Sequence, residues 1–374
     1  MKKLFLFMAG IVSFTAVCQA QLVNVAVLQH QGKISAYYSQ EAFQQAYNAA
    51  EDGDTIMLSG GEFTFSGKFE KGLTVRGTGT ENAYPTIIKS AVSFYSYTTD
   101  LKTTLEGIIF RSNTNVYNDS IQNSLGKIDF VKCICSTVNF SIGNNPTVQS
   151  GPVTRFTNCS IYKLYSSEKS RPSATFANCY VGPLAVWNSK ASNTYFINCI
   201  IDWGTDHVYT SSYKYAPFTA QYINFINCIF IASNNYSTVD SKGDLINGGY
   251  YVYAIHFSAN VVNCLGVNGY YLFHHNSGTN ISYCDELDEI FVRYEYSYDE
   301  DEDIEYFSDY HLTSSAAAKY LGTDGTQVGM YGGVSPYTMK VSYPVITTLQ
   351  ADSKTDKNGK LNITVGVDEK TEDE

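Results

Sequence analysis

Short apolar stretches alternate with polar residues along most of this chain, and one phrase recurs within that pattern. The phrase runs aromatic–x–Asn–Cys–x–aliphatic in "FINCII", residues 196–201, and it returns with small changes around Cys159, Cys179, Cys228 and Cys264. The units between these phrases are rich in Val, Ile, Phe, Tyr and Thr, with Asn, Gly and Ser between the apolar stretches. This composition favours short strands and excludes helical repeats.

The spacing of the cysteines predicts how the strands are arranged. Between Cys133 and Cys284 the intervals are 26, 20, 20, 29, 36 and 20 residues. A base period near 20 with occasional expansions is typical of a solenoid that carries loop insertions on some turns. The sequence therefore predicts an all-β fold in which each unit is one coil of a parallel β-helix.

The recurring phrase predicts a corner rather than an active site. We expect Phe196 to point inward, Asn198 to turn the chain in the left-handed conformation, and Cys199 and Ile201 to point inward on the next strand. Stacked asparagines are then expected to hydrogen-bond along a ladder.

The cysteines are expected to form an interior column of free, buried thiols. Adjacent parallel strands keep Cβ atoms about 4.8 Å apart, wider than the roughly 3.8 Å that a disulfide prefers. Cys133 and Cys135 are expected to alternate between the two faces of one strand, and no spacing of a metal site is present.

The N-terminal sequence predicts export. Two lysines precede an apolar stretch from Leu4 to Val17, and cleavage after Ala20 fits a secretory signal peptide, with lipid attachment at Cys18 as the alternative. Residues 39–63 carry Ala42, Phe43, Ala46, Tyr47 and Ala50 at helical spacing, followed by a strand over 55–58. We interpret this region as an amphipathic helix that closes the open end of the solenoid.

The domain organisation that follows is a signal peptide over 1–20, a β-helix with its helical cap over 21–335, and a C-terminal region over 336–374. This last region is expected to form a hairpin or capping strand pair with its turn at Asn358-Gly359, ending in a charged tail. The formal net charge of −11 is concentrated in residues 285–309, where twelve acids accompany Arg293 alone, and in the tail. The body of the protein lacks a basic face, so nucleic acid is not an expected partner. A strongly anionic polysaccharide is also disfavoured unless a cation bridges it.

Three segments carry a resemblance to a known group of proteins. The helix followed by "GDTIMLSGGEF" and then "GLTVRGTG" (72–79) resembles the N-terminal cap and first coils of the pectin-lyase-like right-handed parallel β-helix superfamily. The stretch 309–333 is similar to the closing segment of secreted β-helix proteins from Gram-negative bacteria. The likeness covers roughly residues 35–335 and implies a single-stranded right-handed parallel β-helix solenoid with an N-terminal capping α-helix. It does not fix an activity, since the superfamily includes lyases, hydrolases, esterases and adhesins.

Candidate catalytic residues are few. Neither the calcium-binding carboxylates with a nearby Arg or Lys that a pectate lyase needs, nor the acid and basic motifs of polygalacturonases, are present. A pair of carboxylates on neighbouring coils would suit a retaining glycosidase. The weak candidates for catalysis are Asp202, Asp206, His207 and Lys214, with Asp240 and Asp244 as further acids in the second insertion.

An exposed strip of aromatic and polar residues is the candidate binding site. Alignment of the coils predicts that Leu184 and Val186 point inward and Trp187 outward, with Tyr165 near the position of Trp187. The predicted strip, whose rings and polar groups would suit a sugar, consists of Lys163, Tyr165, Trp187, His207 and Tyr209. The alternative is that a loop of the expanded coils covers Trp187. The insertions at 202–222 and 232–257 flank the strip, and His256, His274 and His275 are expected to be ordinary strand or turn residues.

The expected function is binding rather than catalysis. We expect an exported protein, secreted or on the surface of a Gram-negative bacterium, that engages a polysaccharide, a surface glycan or a cell-surface partner. The alternative is a polysaccharide lyase or glycoside hydrolase with its site on the 202–215 and 232–257 insertions. No cofactor is expected, with calcium bound by the acidic stretch 294–312 as the open alternative.

Overall fold

The computed structural model describes residues 24–95, 98–118, 125–142, 153–166, 172–187, 193–203, 223–232, 259–267, 277–284, 286–294, 309–343, 345–351 and 363–368. Twelve strands in these residues form a first sheet, which is parallel except where β1 pairs with β2 and β3. In chain order the strands of the first sheet are β1 (Val25–His30), β2 (Lys33–Tyr38), β3 (Thr55–Leu58), β6 (Thr74–Arg76), β9 (Thr98–Glu106), β11 (Leu125–Val131), β13 (Val153–Thr157), β15 (Ser173–Ala177), β17 (Asn193–Ile197), β19 (Ile223–Ile226), β21 (Asn260–Val262) and β23 (Ser277–Thr279).

A second sheet is built from the strands that alternate with those of the first, and its described pairs are all parallel. Its strands are β4 (Gly61–Phe63), β5 (Lys68–Phe69), β7 (Thr86–Ile88), β8 (Val92–Tyr95), β10 (Ile108–Asn118), β12 (Ile134–Ile142), β14 (Ser160–Ser166), β16 (Tyr180–Trp187), β18 (Ile200–Trp203), β20 (Ile229–Ala232), β22 (Leu265–Val267) and β24 (Ser282–Cys284).

The remaining elements are three short helices and two antiparallel strand pairs. The helices are α1 (Ala42–Ala49), α2 (Leu287–Ile290) and α3 (Ser314–Lys319), and the pairs are β25 (Phe291–Arg293) with β26 (Asp309–Leu312) and β27 (Val345–Ala351) with β28 (Ile363–Asp368). The β27–β28 pair agrees with the hairpin predicted for the C-terminal region, although its turn at Asn358-Gly359 lies outside the described residues.

From β13 to β17 in the first sheet, equivalent residues of successive repeats pair with one another. Phe176, for example, pairs with Phe156 of the preceding repeat and with Phe196 of the following one. The prediction of a mostly β protein made of parallel strands in long sheets is confirmed. This arrangement is compatible with a β-helix solenoid.

A column of phenylalanines fills the interior behind the first sheet. The ring centroids of Phe130, Phe156, Phe176, Phe196 and Phe225 follow one another at 4.7, 5.0, 4.5 and 5.0 Å, and all five side chains are fully buried. These distances match the 4.7–4.9 Å between hydrogen-bonded strands, so one ring per repeat gives a continuous stack.

The cysteines form a second interior column, as predicted, and they are free thiols. Each Sγ lies within hydrogen-bonding distance of two carbonyls that can accept its single S–H: Cys199 Sγ lies 3.3 Å from the carbonyl of Phe176 in the preceding repeat and 3.3 Å from that of Ile197. The members of the column are Cys133, Cys159, Cys179, Cys199, Cys228 and Cys264, all buried.

Two expectations about individual cysteines are wrong. Cys133 and Cys135 do not alternate between faces, since both are fully buried in the same core. The chain turns at Lys132, directly before Cys133, as it turns at Asn198 directly before Cys199. Cys284 does not belong to the column: it pairs with Val267 in the second sheet, and the corner of its repeat is at Asn280, before Ile281.

The asparagine corners are confirmed in their backbone conformation. Asn198 has φ of 50°, and the other corner asparagines lie close to it: Asn158, Asn178, Asn227, Asn263 and Asn280, at 49° to 57°. Gly107 and Lys132 occupy the same corner in earlier repeats, at 66° and 53°. The expected ladder is only partly present. Asn280 Nδ2 donates to Asn263 Oδ1 at 3.0 Å, whereas Asn158, Asn178 and Asn227 bond to a different part of the chain.

The predicted helix and the strand after it are both present. All five residues predicted for its apolar face are buried: Ala42, Phe43, Ala46, Tyr47 and Ala50. The rings of Phe43 and Tyr47 pack on Phe65, each with centroids 5.0 Å away. The helix therefore contributes to the same core as the first repeats.

Residues 320–343, which we call the covering segment, run along the asparagine corners in the direction opposite to the repeats. Thr323 N donates to Asn227 Oδ1 at 2.9 Å, Asn178 Nδ2 donates to the carbonyls of Met330 and Gly332 at 2.8 and 2.7 Å, and Tyr343 Oη donates to the carbonyl of Gly77 at 2.8 Å. The boundary predicted after residue 335 falls inside this segment. The close fit needs Gly333, since a Cβ there would lie 2.2 Å from Asn198 Nδ2 and its φ is +81°.

A second, smaller core lies between the outer side of the second sheet and the C-terminal residues. The sheet contributes Ile200, Ile229 and Leu265, and the C-terminal part contributes chiefly Phe291, Tyr310, Leu312, Val328 and Met330. α3 begins there with Thr313 as its cap, whose Oγ1 accepts from Ala316 N at 3.3 Å. The C-terminal residues thus cover one side of the second sheet.

Candidate functional site

Three neighbouring strands of the second sheet, β10, β12 and β14, present a polar outer surface, which we call the polar face. It consists of two rows across β10, β12 and β14, namely Asn113, Thr137 and Lys163 and, beside it, Asn115, Asn139 and Tyr165. Thr114, Val138 and Leu164 lie between the rows and are buried, so the rows point outward, as side chains alternate along a strand. Asn113 is exposed and the other five are partly exposed.

The groups on the polar face are amides, a hydroxyl, an ammonium and a phenol ring. Asn139 Nδ2 donates to Asn115 Oδ1 at 3.5 Å, which joins two neighbouring strands. Lys163 Nζ lies 5.7 Å from the centroid of the Tyr162 ring, and partial burial raises the pKa of Tyr165 above its ordinary value. Neutral hydrogen-bonding groups beside an aromatic ring suit a ligand with many hydroxyls and little charge.

The structure brings together only part of the strip predicted from sequence. Lys163 and Tyr165 lie on the same side of β14, two residues apart. In the backbone register of β16, Val186 is paired with Tyr165, and Trp187 is paired with Ser166. The pairing of β14 with β16 shifts by one residue between Ile161 and Lys163. The alignment of the coils in the sequence assumed equal spacing and did not include this shift. The role of these residues in binding stays a prediction.

Several predicted residues lie outside the described part of the chain. These are Asp206, His207, Tyr209 and Lys214 in the first insertion, Asp240, Asp244 and His256 in the second, and His274 and His275 further on.

Asp202 is described, and it is enclosed. Tyr180 Oη and Tyr310 Oη donate to Asp202 Oδ2 at 3.1 and 3.0 Å, and Tyr294 Oη lies 3.3 Å from both carboxylate oxygens. The residue is 6% exposed, and burial raises its pKa to about 6 although the three phenols lower it.

The sequence pattern indicated Asp202 as a candidate residue but none of the three tyrosines that contact it. Tyr180 lies one repeat earlier, and Tyr294 and Tyr310 flank the acidic stretch about a hundred residues later. A signal was present for Tyr180, which comes directly after the corner cysteine where other repeats have Ser, Ile or Leu. Nothing in the spacing pointed to Tyr294 or Tyr310.

A polar cleft lies at the end of the asparagine corners, and we call it the asparagine cleft. It encloses about 240 Å³ between Asn263, Asn280 and Ser282 on one side and Lys319, Tyr320 and Leu321 on the other. Lys319 is fully exposed, and its contact with Tyr320 raises the pKa of its ammonium. No sequence pattern predicted this cleft, because the end of α3 meets the last two corners only in the tertiary fold.

Among the described residues, no cluster of three or more His, Cys, Asp or Glu side chains is arranged to hold a metal ion. None of the described helices is long and apolar enough to cross a membrane. In comparisons with known proteins, no protein-family model matches the chain and no curated protein matches it significantly.

Proposed function

We propose that this protein is an exported carbohydrate-binding protein that holds its ligand on the polar face without cleaving it. In this proposal the chain is a right-handed parallel β-helix of the pectin-lyase-like type, α1 closes its N-terminal end, and the mature protein is secreted or displayed at the surface of a Gram-negative bacterium. The ligand is a neutral, linear polysaccharide or surface glycan.

The observation that carries the proposal is the pair of outward rows on β10, β12 and β14. Their side chains repeat at the strand spacing of about 4.8 Å along a straight line. A linear glycan also repeats its hydroxyls along a line, so several sugar residues can be contacted by the regularly spaced polar groups of the rows. Tyr165 supplies an aromatic ring, and Asn115 and Asn139 supply donors and acceptors beside it.

The surroundings of Asp202 support binding over cleavage. A catalytic carboxyl must reach the substrate, and Asp202 is enclosed by three phenols under the C-terminal residues. Outside the acidic stretch and the tail the chain carries only a small net charge and no basic face, which favours a neutral ligand over a strongly anionic one.

The experiment is a glycan array with the purified protein, followed by calorimetry with the best linear ligand. Tyr165→Ala and Asn139→Ala are each expected to weaken binding about tenfold, since losing a ring contact or a hydrogen bond costs about 1.4 kcal/mol. The matched control is Tyr195→Ala, which removes an exposed tyrosine from the outer side of the first sheet.

Two results would overturn the proposal. Equal affinity in the wild type, Tyr165→Ala and Asn139→Ala would remove the polar face as the binding site. New reducing ends or unsaturated sugars produced by the wild type would mean that the protein is an enzyme, with the insertions at 202–215 and 232–257 as the first place to search.

A further inference from the structure

The first sheet begins with an exposed edge strand, β2. Among the described strands it pairs only with β1, over six residue pairs without a bulge. Five of its six residues are exposed, with Ile34 at 75% and Tyr38 at 62%. Proteins usually protect such an edge with a proline, a bulge or a charge within the strand. From Ile34 to Tyr38, β2 has none of these protections.

The backbone groups of Ile34, Ala36 and Tyr38 face away from β1. The turn between β1 and β2 has two residues, with φ of 46° and 76°, and the residues that flank such a turn form a hydrogen-bonded pair. The odd-numbered residues of β2 therefore bond to β1, and the strand continues in this way to Ser39, whose N donates to the Asn24 carbonyl at 3.1 Å. The N–H and carbonyl groups of the even-numbered residues point outward, and no described residue pairs with them.

The side chains of the same even-numbered residues lie on the outer side of the sheet. Their partners in β1 alternate with Ala26 and Leu28, which are buried in the core. Ala36 pairs with Val27, and Val27 pairs on its other side with Met57, so apolar residues continue from β3 to β2. The edge therefore offers unpaired backbone groups together with exposed apolar side chains.

We propose that β2 pairs in antiparallel fashion with β2 of a second copy of this chain, which joins the two first sheets into one. A two-fold axis at Ala36 places Ile34 opposite Tyr38 of the second copy. Each outward residue then exchanges two hydrogen bonds with the residue opposite it. A shift of two residues in either direction would leave an outward residue of each strand beyond the end of the other strand.

The side chains of β2 suit the pairing of two identical strands. Ala36 lies at the axis, where two copies of the same side chain meet, and alanine is small enough to be accommodated there. Ile34 and Tyr38 form a β-branched and aromatic pair on the outer side, a combination that stabilises antiparallel sheets.

The charges at the two ends of β2 are complementary in this register. Lys33 and Glu41 are both exposed, and within the described residues neither of them belongs to an ion pair. Lys33 lies opposite Ser39 of the second copy, and Ser39 Oγ accepts from Glu41 N at 3.1 Å. The two-fold axis thus brings Lys33 of each copy close to Glu41 of the other. This match arises between two copies of the chain, which favours a second copy over an unrelated strand.

The helix α1 leaves the edge accessible. It contributes to the core on the inner side of the sheet, where Tyr37 is partly buried against that core. Ser35, on the same side of β2, is exposed. A second strand can therefore approach β2 along its length without displacing α1. The inference concerns self-association and goes beyond the proposed carbohydrate binding.

The test is analytical ultracentrifugation of residues 21–374 from about 1 µM to about 100 µM, and we expect a dimer with a Kd in the micromolar range. Ala36→Pro is the main variant, because the N–H that it removes faces the edge and makes no bond to β1. Losing the two hydrogen bonds at the axis is expected to weaken the dimer at least tenfold. The melting temperature of the variant, measured by circular dichroism, is expected to stay unchanged under conditions in which both proteins are monomers.

Lys33→Glu and Glu41→Lys test the register without a change in the backbone. Each variant alone places like charges together at both ends of the pairing and is expected to weaken the dimer about fivefold. An equimolar mixture of the two is expected to form a heterodimer as tight as the wild-type dimer, because every contact then joins Lys to Glu. If Ala36→Pro lowers the melting temperature, these charge variants decide the question.

A wild type that stays monomeric, a dimer as tight in a stably folded Ala36→Pro, or a mixture no tighter than either charge variant would overturn the inference. Hydrogen exchange at the amides of Ile34, Ala36 and Tyr38 identifies what covers the edge. Protection that appears only as the dimer forms would support the pairing. Protection in a monomer would overturn it, because another part of the chain would then occupy the edge. Glycan binding and Tyr165→Ala are measured separately, so the proposed function and this inference can fail independently.

Discussion

The interior of the two sheets and the covering segment stabilise the same repeats by different means. In the interior, each repeat contributes one Phe and one Cys, and the same contact recurs from Phe130 to Phe225. The covering segment has no repeat, yet it meets successive corners with a different contact at each. The interior therefore repeats one tightly packed contact with the same geometry, whereas each contact of the covering segment is made once.

The largest effect is expected from a cavity in the repeated interior. Phe176→Ala removes a fully buried ring whose neighbours Phe156 and Phe196 are nearly parallel to it, at 4° and 5°. We expect the free energy of unfolding in urea to fall by about 3–5 kcal/mol, as for other buried aromatic residues. Phe176→Leu keeps most of the volume and is expected to cost clearly less.

A fall below about 1 kcal/mol for Phe176→Ala would contradict this prediction. It would mean that the neighbouring rings close the gap, and that the column is less tightly packed than its distances indicate.

The structure of the repeated interior was more predictable from sequence than that of the covering segment, and the reason is physical. The repeated interior could be predicted because every stacked repeat imposes the same local requirements on the sequence. The left-handed corner at Asn198 and the inward Cys199 therefore belong to a recurring sequence motif. The helix α1 could also be predicted, because it depends on the local spacing of its apolar residues. The partners of Asn178 could not be predicted, because Met330 and Gly332 lie about 150 residues away and no pattern links them.

Irregularities of a single residue could not be predicted from the sequence either. Cys284 is 20 residues after Cys264, so the regular interval suggested a corner that the structure instead places at Asn280. A register shift in β14 and β16 pairs Trp187 with Ser166 rather than with Tyr165. In the candidate site, the sequence thus anticipated Lys163 and Tyr165 but neither Asn115 nor Asn139, whose row depends on the register.

The second largest effect is expected at Asp202, where the second sheet meets the C-terminal residues Tyr294 and Tyr310. Its folded-state pKa of about 6 lies above the ordinary value of 3.8, so the folded protein holds a proton that the unfolded chain releases first. The associated stability is fully present below about pH 4 and is lost as pH rises to about 6 and beyond. The shift of about 2 units corresponds to about 3 kcal/mol.

Asp202→Asn is expected to remove this loss, because an amide stays neutral at every pH and still accepts from the phenols of Tyr180 and Tyr310. Unfolding in urea at pH 4, 5, 6 and 7 measures it, with the difference between variant and wild type separating Asp202 from other titrating groups. A difference that stays constant over this range would contradict the assigned pKa.

The third effect tests the covering segment alone. Asn178→Gly keeps the left-handed backbone, whose φ is 51°, but leaves the carbonyls of Met330 and Gly332 without their donor. We expect a loss of about 2 kcal/mol, since buried acceptors without partners are costly. The same change at Asn280, whose amide donates to Asn263 rather than to the covering segment, is expected to cost about 1 kcal/mol less. Equal losses at both corners would mean that the covering segment adds nothing to the corner it crosses.

The smallest effect is expected from a single hydroxyl pair between the two regions. Ser160 Oγ, on the second sheet, and Tyr337 Oη, on the covering segment, lie 2.8 Å apart, and burial raises the pKa of the tyrosine. Tyr337→Phe and Ser160→Ala are each expected to cost about 1 kcal/mol, and the double variant less than their sum. A coupling energy near zero would mean that Tyr337 stabilises the covering segment through its ring alone. Coupling of about 1 kcal/mol would instead show that a contact made once, between residues 177 positions apart, adds to the stability that the repeats provide.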